Sequence, residues 1–165
     1  MTLRVRLAVP ADAEAMARIY NQGIQERTAT FETRPRSTQD LEKWFDGEHP
    51  ICAVEEAGNV IAFAASSGYR PRDCYQGIAE VSVYVDRGAR GRGAGTLALQ
   101  ALVEACEARG FWKLLSRIFV DNLGSRGLTR AMGFREVGLY QRHARLDGVW
   151  RDVVIVEKLI GEALK

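Results

Sequence analysis

Residues 80–102 read EVSVYVDRGARGRGAGTLALQAL. Glu80–Val85 alternates as a half-buried strand does. Arg87–Gly95 then crowds four glycines and three arginines into nine positions. Beyond them Leu99, Leu102, Val103 and Cys106 recur at helical spacing, which predicts a helix over 92–109 that Gly110 ends. A helix start leaves backbone N–H groups without partners and carries partial positive charge. Glycines at that start let an anion approach the main chain closely. Strand, glycine loop and helix in this order describe a phosphate cradle, with Arg87, Arg90 and Arg92 at hand for further negative charge.

The flanks say which kind of cradle it is. Residues 3–8 alternate as a strand, and Asp12 is placed to cap a helix carrying Ala15, Met16, Ile19, Tyr20 and Ile24 to about Glu26. After the irregular RTATFETRPRST, Ser37 or Thr38 starts a second helix with Leu41, Trp44 and Phe45 on one side. Strands over 51–56 and 60–68 meet at Ala57-Gly58-Asn59, a hairpin signal. A polar loop, Tyr69–Gly77, leads into a strand over 78–85. Past the long helix come a strand over 114–120, a short helix over 125–132 ending at Gly133, and strands over 134–143 and 149–159 around Asp147-Gly148. The order β-α-α-β-β-β-α-β-α-β-β describes an α+β domain with a mixed sheet, one unit over residues 1–165. It excludes a dinucleotide fold, although Gly93-Ala94-Gly95-Thr96-Leu97-Ala98 fits GxGxxA, because three strands in succession precede the loop. A Walker loop is excluded because no lysine stands between Gly95 and Thr96.

Bulk properties narrow the function. The 165 residues are 47% hydrophobic and 27% charged, as in an ordinary globular chain. A net charge of +2 gives no nucleic-acid surface. No run of 18 apolar residues and no apolar signal core occur, so a cytoplasmic protein without membrane contact is expected. Three cysteines without CxxC spacing give neither a disulfide framework nor a metal site. Cys106 belongs to the helix stripe, and Cys74 lies in the polar loop.

Arg90-Gly91-Arg92-Gly93-Ala94-Gly95 resembles the R/Q-x-x-G-x-G/A pyrophosphate loop of the GCN5-related N-acetyltransferase (GNAT) family, and the order of elements is similar across nearly the whole chain. YNQGIQERTATFETRP (20–35), EVSVYV (80–85), GFREVG (133–138) and DGVWRDVVIVEK (147–158) resemble the group acting on phosphinothricin, methionine sulfoximine and arsinothricin. The resemblance implies a GNAT fold with a mostly antiparallel sheet, acetyl-CoA as cofactor, a small amino-acid substrate acetylated on its α-amino group, and a homodimer. It implies cofactor contacts at Val83, Tyr84, Val85, Arg90, Gly91, Arg92, Gly93, Ala94, Gly95, Thr96, Asn122 and Ser125, with an N–H among Val83–Val85 as oxyanion donor. It implies Glu80 as base and Phe31, Arg70, Arg72, Tyr75 and Ser82 as substrate contacts. Chemistry agrees with part of this. Arginines suit a carboxylate or phosphinate, and burial would raise a base such as Glu80 toward a useful pKa.

One position departs from the family. Where many relatives carry a tyrosine that protonates the leaving thiolate, Thr129 stands here. The thiolate then leaves unaided, or Tyr84 or Tyr140 serves. His143, near a strand end, is read as structural. Two other functions stay open, acetylation of a polyamine, aminoglycoside or protein N-terminus, and a non-catalytic coenzyme A sensor.

Overall fold

A computed structural model describes residues 2–165. The meander expected before the long helix is present. It comprises β1 (Leu3–Leu7), α1 (Ala13–Glu26), α2 (Thr38–Glu42), β2 (Ile51–Glu56), β3 (Asn59–Gly68) and β4 (Ile78–Val85). After it come α3 (Ala94–Ala108), β5 (Lys113–Phe119), α4 (Leu123–Ala131), β6 (Arg135–Leu146) and β7 (Val149–Leu159). The seven strands form one sheet in the order β1-β2-β3-β4-β5-β7-β6. Only β4 and β5 run parallel, so the expected mixed, mostly antiparallel sheet is what the chain forms. Two tight hairpins are made by Ala57-Gly58 and Asp147-Gly148, whose positive φ values (52° and 82°, 52° and 78°) match the right-handed twist of their strands.

Both faces of the central strands are covered, which is why they read as nearly continuous apolar runs. On one face Leu99, Leu102 and Cys106 of α3 pack on Cys52 and Val54, Ala62 and Ala64, and Leu114. This cluster reaches from β2 to β7. On the other face Met16, Ile19 and Ile24 of α1 and Leu41 of α2 pack on Ile51, Ala53, Phe63 and Ala65. The pleat sends neighbouring residues of β2 and β3 to opposite helix layers. No described helix is long and apolar enough to cross a membrane.

Some element ends differ from the sequence reading. The long helix begins at Ala94 rather than 92, because Gly93 is left-handed (φ 84°) and stands outside it. The last hairpin is longer than expected. Tyr140 pairs with Val153 and Ala144 with Arg151, so β6 bulges between them. The bulge turns through Arg142 (φ 47°), whose N–H donates to Asp152 Oδ1 at 2.7 Å.

Asp12 precedes α1 but makes no side-chain cap on it. Its carboxylate instead accepts from the Val9 N–H at 2.8 Å and from two Arg6 nitrogens at 2.8 and 3.0 Å. A charged fork on β1 outcompetes the neutral N–H groups of the helix start. The Arg6 contacts, then the Val9 N–H, hold the Asp12 carboxyl below the usual carboxylate range against the opposing effect of burial. The stabilisation is therefore complete above the ordinary carboxylate pKa and is lost as acid titrates the folded group. Asp12→Asn should cost about 2 kcal/mol in urea unfolding at neutral pH. The gap to wild type should narrow as the pH falls below the ordinary Asp value, and a gap independent of pH would refute this account.

Candidate active site

The site begins where two strands part. β4 and β5 pair only at Ile78–Lys113, Ala79–Leu114 and Glu80–Leu115. Beyond that point β4 stays with β3 as far as Val85–Ala62, and β5 stays with β7 as far as Phe119–Val153. At the parting the buried Ser116 hydroxyl donates to the Val81 carbonyl at 2.9 Å. It satisfies an acceptor that strand pairing no longer serves.

Past this fork lies a cleft of about 670 Å³. Val83, Tyr84 and Val85 form one wall, and Gly91, Gly93, Ala94, Gly95 and Thr96 form its end. The first helical bond of α3 runs from the Leu97 N–H to the Gly93 carbonyl at 3.1 Å. The N–H groups of Ala94, Gly95 and Thr96 thus have no acceptor within the helix. Gly91 and Gly93 hold φ values of 78° and 84°, a region that residues with a Cβ avoid. At Gly95 an added Cβ would stand 3.2 Å from Val85 Cγ2, so the missing side chain lets the helix start close on β4. These residues fit coenzyme A. Free N–H donors at a helix start suit a diphosphate, and an unpaired strand edge suits an extended amide-bearing arm.

Arg90 lines the cleft while its guanidinium holds Glu26 Oε1 at 2.6 Å. Arg92 does not line it. Its side chain is drawn to Glu56 on β2, which takes it out of the expected cofactor set. Asn122 and Ser125 line the far wall. Asn122 Oδ1 caps α4 by accepting from the Ser125 N–H at 3.2 Å, and its Nδ2 donates to the Thr28 carbonyl at 3.1 Å.

A second cavity of about 360 Å³ is lined by Phe31, Glu80, Ser82, Arg117, Phe119 and His143, among others. Tyr84 and Ala29 line both cavities, so the two meet there. Tyr84 packs edge-on against Tyr20 (5.0 Å between ring centres) and lies 5.2 Å from Phe63. Burial pushes its phenol well above the ordinary tyrosine range, Tyr20 adds to this, and a hydrogen bond with Ser82 works against it. Phe31 meets Phe119 edge-on at 4.7 Å, and Arg151 covers the Phe119 ring at 5.0 Å.

Glu80 is only partly buried, and it is paired. Arg117 Nη2 donates to both of its carboxylate oxygens at 2.8 and 3.0 Å. Sequence reasoning overlooked Arg117. The available signal was a charged residue inside the strand KLLSRIF, two positions beyond Leu115 and so on the face shared with Glu80. His143, read as structural, lines the smaller cavity, in the stretch of β6 that the bulge displaces.

Other expected residues lie elsewhere. Arg70, Arg72 and Tyr75 do not line the cavity that holds Glu80. Arg70 sits over the Tyr69 ring at 5.0 Å, and Tyr75 meets Tyr69 edge-on at 5.5 Å. Closeness in sequence to β4 misled here, because the loop folds on Tyr69 and turns through Asp73–Tyr75 before the strand begins. Thr129 is buried, and its hydroxyl lies 3.0 Å from the Ser125 carbonyl and 3.2 Å from that of Arg126, within its own helix. Tyr140 is 47% exposed, stacks on His143 at 4.8 Å and lines neither cavity.

A forked sheet with a glycine-rich helix start in the fork suits a carrier that joins a diphosphate to an extended amide-bearing arm. The Acetyltransferase (GNAT) family matches residues 16–134. The chain is 32% identical over 162 residues to the L-methionine sulfoximine/L-methionine sulfone acetyltransferase of Pseudomonas aeruginosa, covering 95% of this chain and 94% of that one. It is 31% identical over 163 residues to the phosphinothricin N-acetyltransferase of Streptomyces coelicolor, covering 94% and 95%. The crystal structure of a GNAT superfamily phosphinothricin acetyltransferase from Sinorhizobium meliloti in complex with acetyl-CoA superposes with a TM-score of 0.91 at 32% identity, covering 98% and 90%. The chain belongs to the GNAT family and is an acetyl-CoA-dependent N-acetyltransferase.

Gly93→Val should weaken coenzyme A binding by about 10-fold or more, because a β-branched residue at φ 84° costs roughly 1–3 kcal/mol and shifts the helix start. Titration calorimetry reads this directly, and an unchanged affinity would remove the loop from the binding site.

Proposed function

We propose that the protein acetylates the α-amino group of a glutamate-like amino acid of the phosphinothricin, methionine sulfoximine or arsinothricin type. The observation that carries this reading is the meeting of two cavities at Tyr84, with Glu80 in the smaller one. The relatives named above act on such amino acids. The N–H groups of Gly91 and Gly93–Thr96, with Arg90, Asn122 and Ser125 alongside, are the residues that would hold coenzyme A. Acetyl-CoA supplies an acetyl group activated as a thioester.

An α-ammonium has no lone pair, so a proton must leave before attack. Glu80 takes that proton, directly or through one water, and the amine attacks in a ternary complex without an enzyme nucleophile. A main-chain N–H among Val83–Val85 faces the developing oxyanion. Phe31 and Ser82 wall the acceptor. Tyr84 keeps its proton, because its phenol is pushed up while a thiol titrates near 8.5. It therefore serves as a hydrogen-bond donor at the leaving sulfur rather than as an acid. Tyr140 and Thr129 have no part in this.

In a thiol-release assay over a panel of primary amines, turnover should appear with methionine sulfoximine or phosphinothricin and stay low with polyamines. The opposite order refutes the reading. Glu80→Gln should lower kcat/KM by about 10²-fold or more, and Tyr84→Phe should lower kcat by about 10-fold, the scale of a lost base and of one charge-assisted hydrogen bond. Full activity in Glu80→Gln would leave the protein without its base.

The homodimer belongs to this reading too. β6 is an outer edge strand, and Val137, Leu139 and Tyr140 on it are 46–47% exposed. Exposed apolar side chains on an outer edge strand favour a partner. Sedimentation equilibrium should return twice the chain mass, and a monomer at tens of micromolar (roughly, above ordinary dimer constants) would contradict it.

A further inference from the structure

We infer that Arg117 is the acceptor's carboxylate anchor, so that one guanidinium holds the catalytic base with Nη2 and the substrate's α-carboxylate with its remaining N–H groups. This rests on the reading that the acceptor is an α-amino acid.

Three observations carry it. The first is position. Leu115 pairs with Glu80 across the last rung before the fork, and Arg117 follows on the same face, so both side chains enter the smaller cavity. The second is unused donor capacity. Both bonds to Glu80 come from Nη2, and among the described residues no acceptor meets Nε or Nη1. The side chain is 53% exposed, so those groups are open to a ligand. An arginine carries five N–H donors, and carboxylates are its natural partners. The third is the lack of a rival. Arg117 is the sole arginine or lysine lining that cavity among the described residues, with Arg70 and Arg72 outside it. Arg151 is already committed, donating to the Arg27 carbonyl at 3.0 Å and covering Phe119.

The substrate's own geometry completes the argument. In an α-amino acid the ammonium and the carboxylate hang from one carbon. A carboxylate on the free N–H groups of Arg117 therefore sets the ammonium beside Glu80, where its proton is taken. Four charges then alternate in sign around the site. An amine without the carboxylate gains nothing from Arg117.

Steady-state kinetics on methionine sulfoximine and on its α-carboxamide separate anchoring from other roles. Arg117→Ala should raise KM for the acid by about 10- to 100-fold, the loss of charge-assisted hydrogen bonds. The same variant should leave KM for the carboxamide, and for acetyl-CoA, within about twofold of wild type, since neither interaction uses the anchor. Arg117→Lys should fall between wild type and the alanine variant for the acid, because it keeps the charge and loses the fork. Melting temperatures of both variants should stay near wild type, because the residue is exposed. Equal losses on acid and carboxamide, or losses confined to kcat, would show that Arg117 acts only through Glu80 and overturn the proposal. No change on the acid overturns it as well. A wild-type enzyme inert toward every amino acid yet active on another amine overturns the substrate reading itself, a result distinct from an active wild type with an indifferent variant.

Discussion

β4 and β5 are parallel neighbours that stay together for three rungs and then separate, and each remains fully paired on its other side. Every backbone group on the opened edge forgoes a hydrogen bond worth about 0.5–1.5 kcal/mol net, so the opening must be held against closure. Two antiparallel pairings provide the hold, one with β3 and one with β7. A wedge completes it. The start of α3 sits so close that a Cβ on Gly95 would press on Val85 at 3.2 Å, with Val83 and Leu128 at 3.6 Å. Ser116 caps the Val81 carbonyl at the vertex. The fork places a free strand edge, a helix start and Glu80 within one line of cavities.

A second constraint closes that line from above. The segment after α1 walls both cavities, through Thr28 and Ala29 on the larger and Ala29, Thr30 and Phe31 on the smaller. It has no regular hydrogen bonding of its own and is held by side chains from the other half of the sheet. Asn122 donates to the Thr28 carbonyl, Arg151 donates to the Arg27 carbonyl, and Arg27 pairs with Asp147 at 2.9 Å. Arg151 also covers the Phe119 ring, on which Phe31 rests. Asn122 thereby has two duties within the protein, capping α4 and holding this wall. The acceptor cavity is shaped by residues from α1's end, β4, β5 and the last hairpin together.

What the sequence discloses and what it withholds follow the range of the interactions. Element types, the two mirror-image hairpin turns and the glycine cradle depend on local periodicity and on φ preferences, and each was legible from a few neighbouring residues. The fork itself was not, because Glu80–Leu115 as the final rung is a pairing across 35 positions. Asp12 looked like a cap because the cap rule sees only the helix that follows, while its strongest partner, Arg6, lies on the preceding strand. Arg70 and Arg72 looked like substrate contacts because of the family resemblance and their place just before the Glu80 strand. Nothing in YRPRDCYQG announces that Tyr69 gathers Arg70 and Tyr75 around itself. Arg92 shows the converse. It stands inside the glycine loop in sequence, yet its long side chain reaches Glu56 on a different strand.

The pairing of Glu80 with Arg117 bears on which amines the site admits. A lone carboxylate in the cavity would attract any ammonium, and polyamines would enter as readily as amino acids. With Arg117 beside it the pair carries no net charge, and the other carboxylate on the cavity wall, Glu32, is paired with Arg36 at 2.5 Å, so a simple cation finds no uncompensated carboxylate there. A zwitterion satisfies both members at once. Discrimination of this kind comes from the unfavourable half of the pair as much as from the favourable half. The two charges sit on side chains of adjoining strands and are fixed by the last rung before the sheet divides, whatever the near-neutral charge of the chain as a whole.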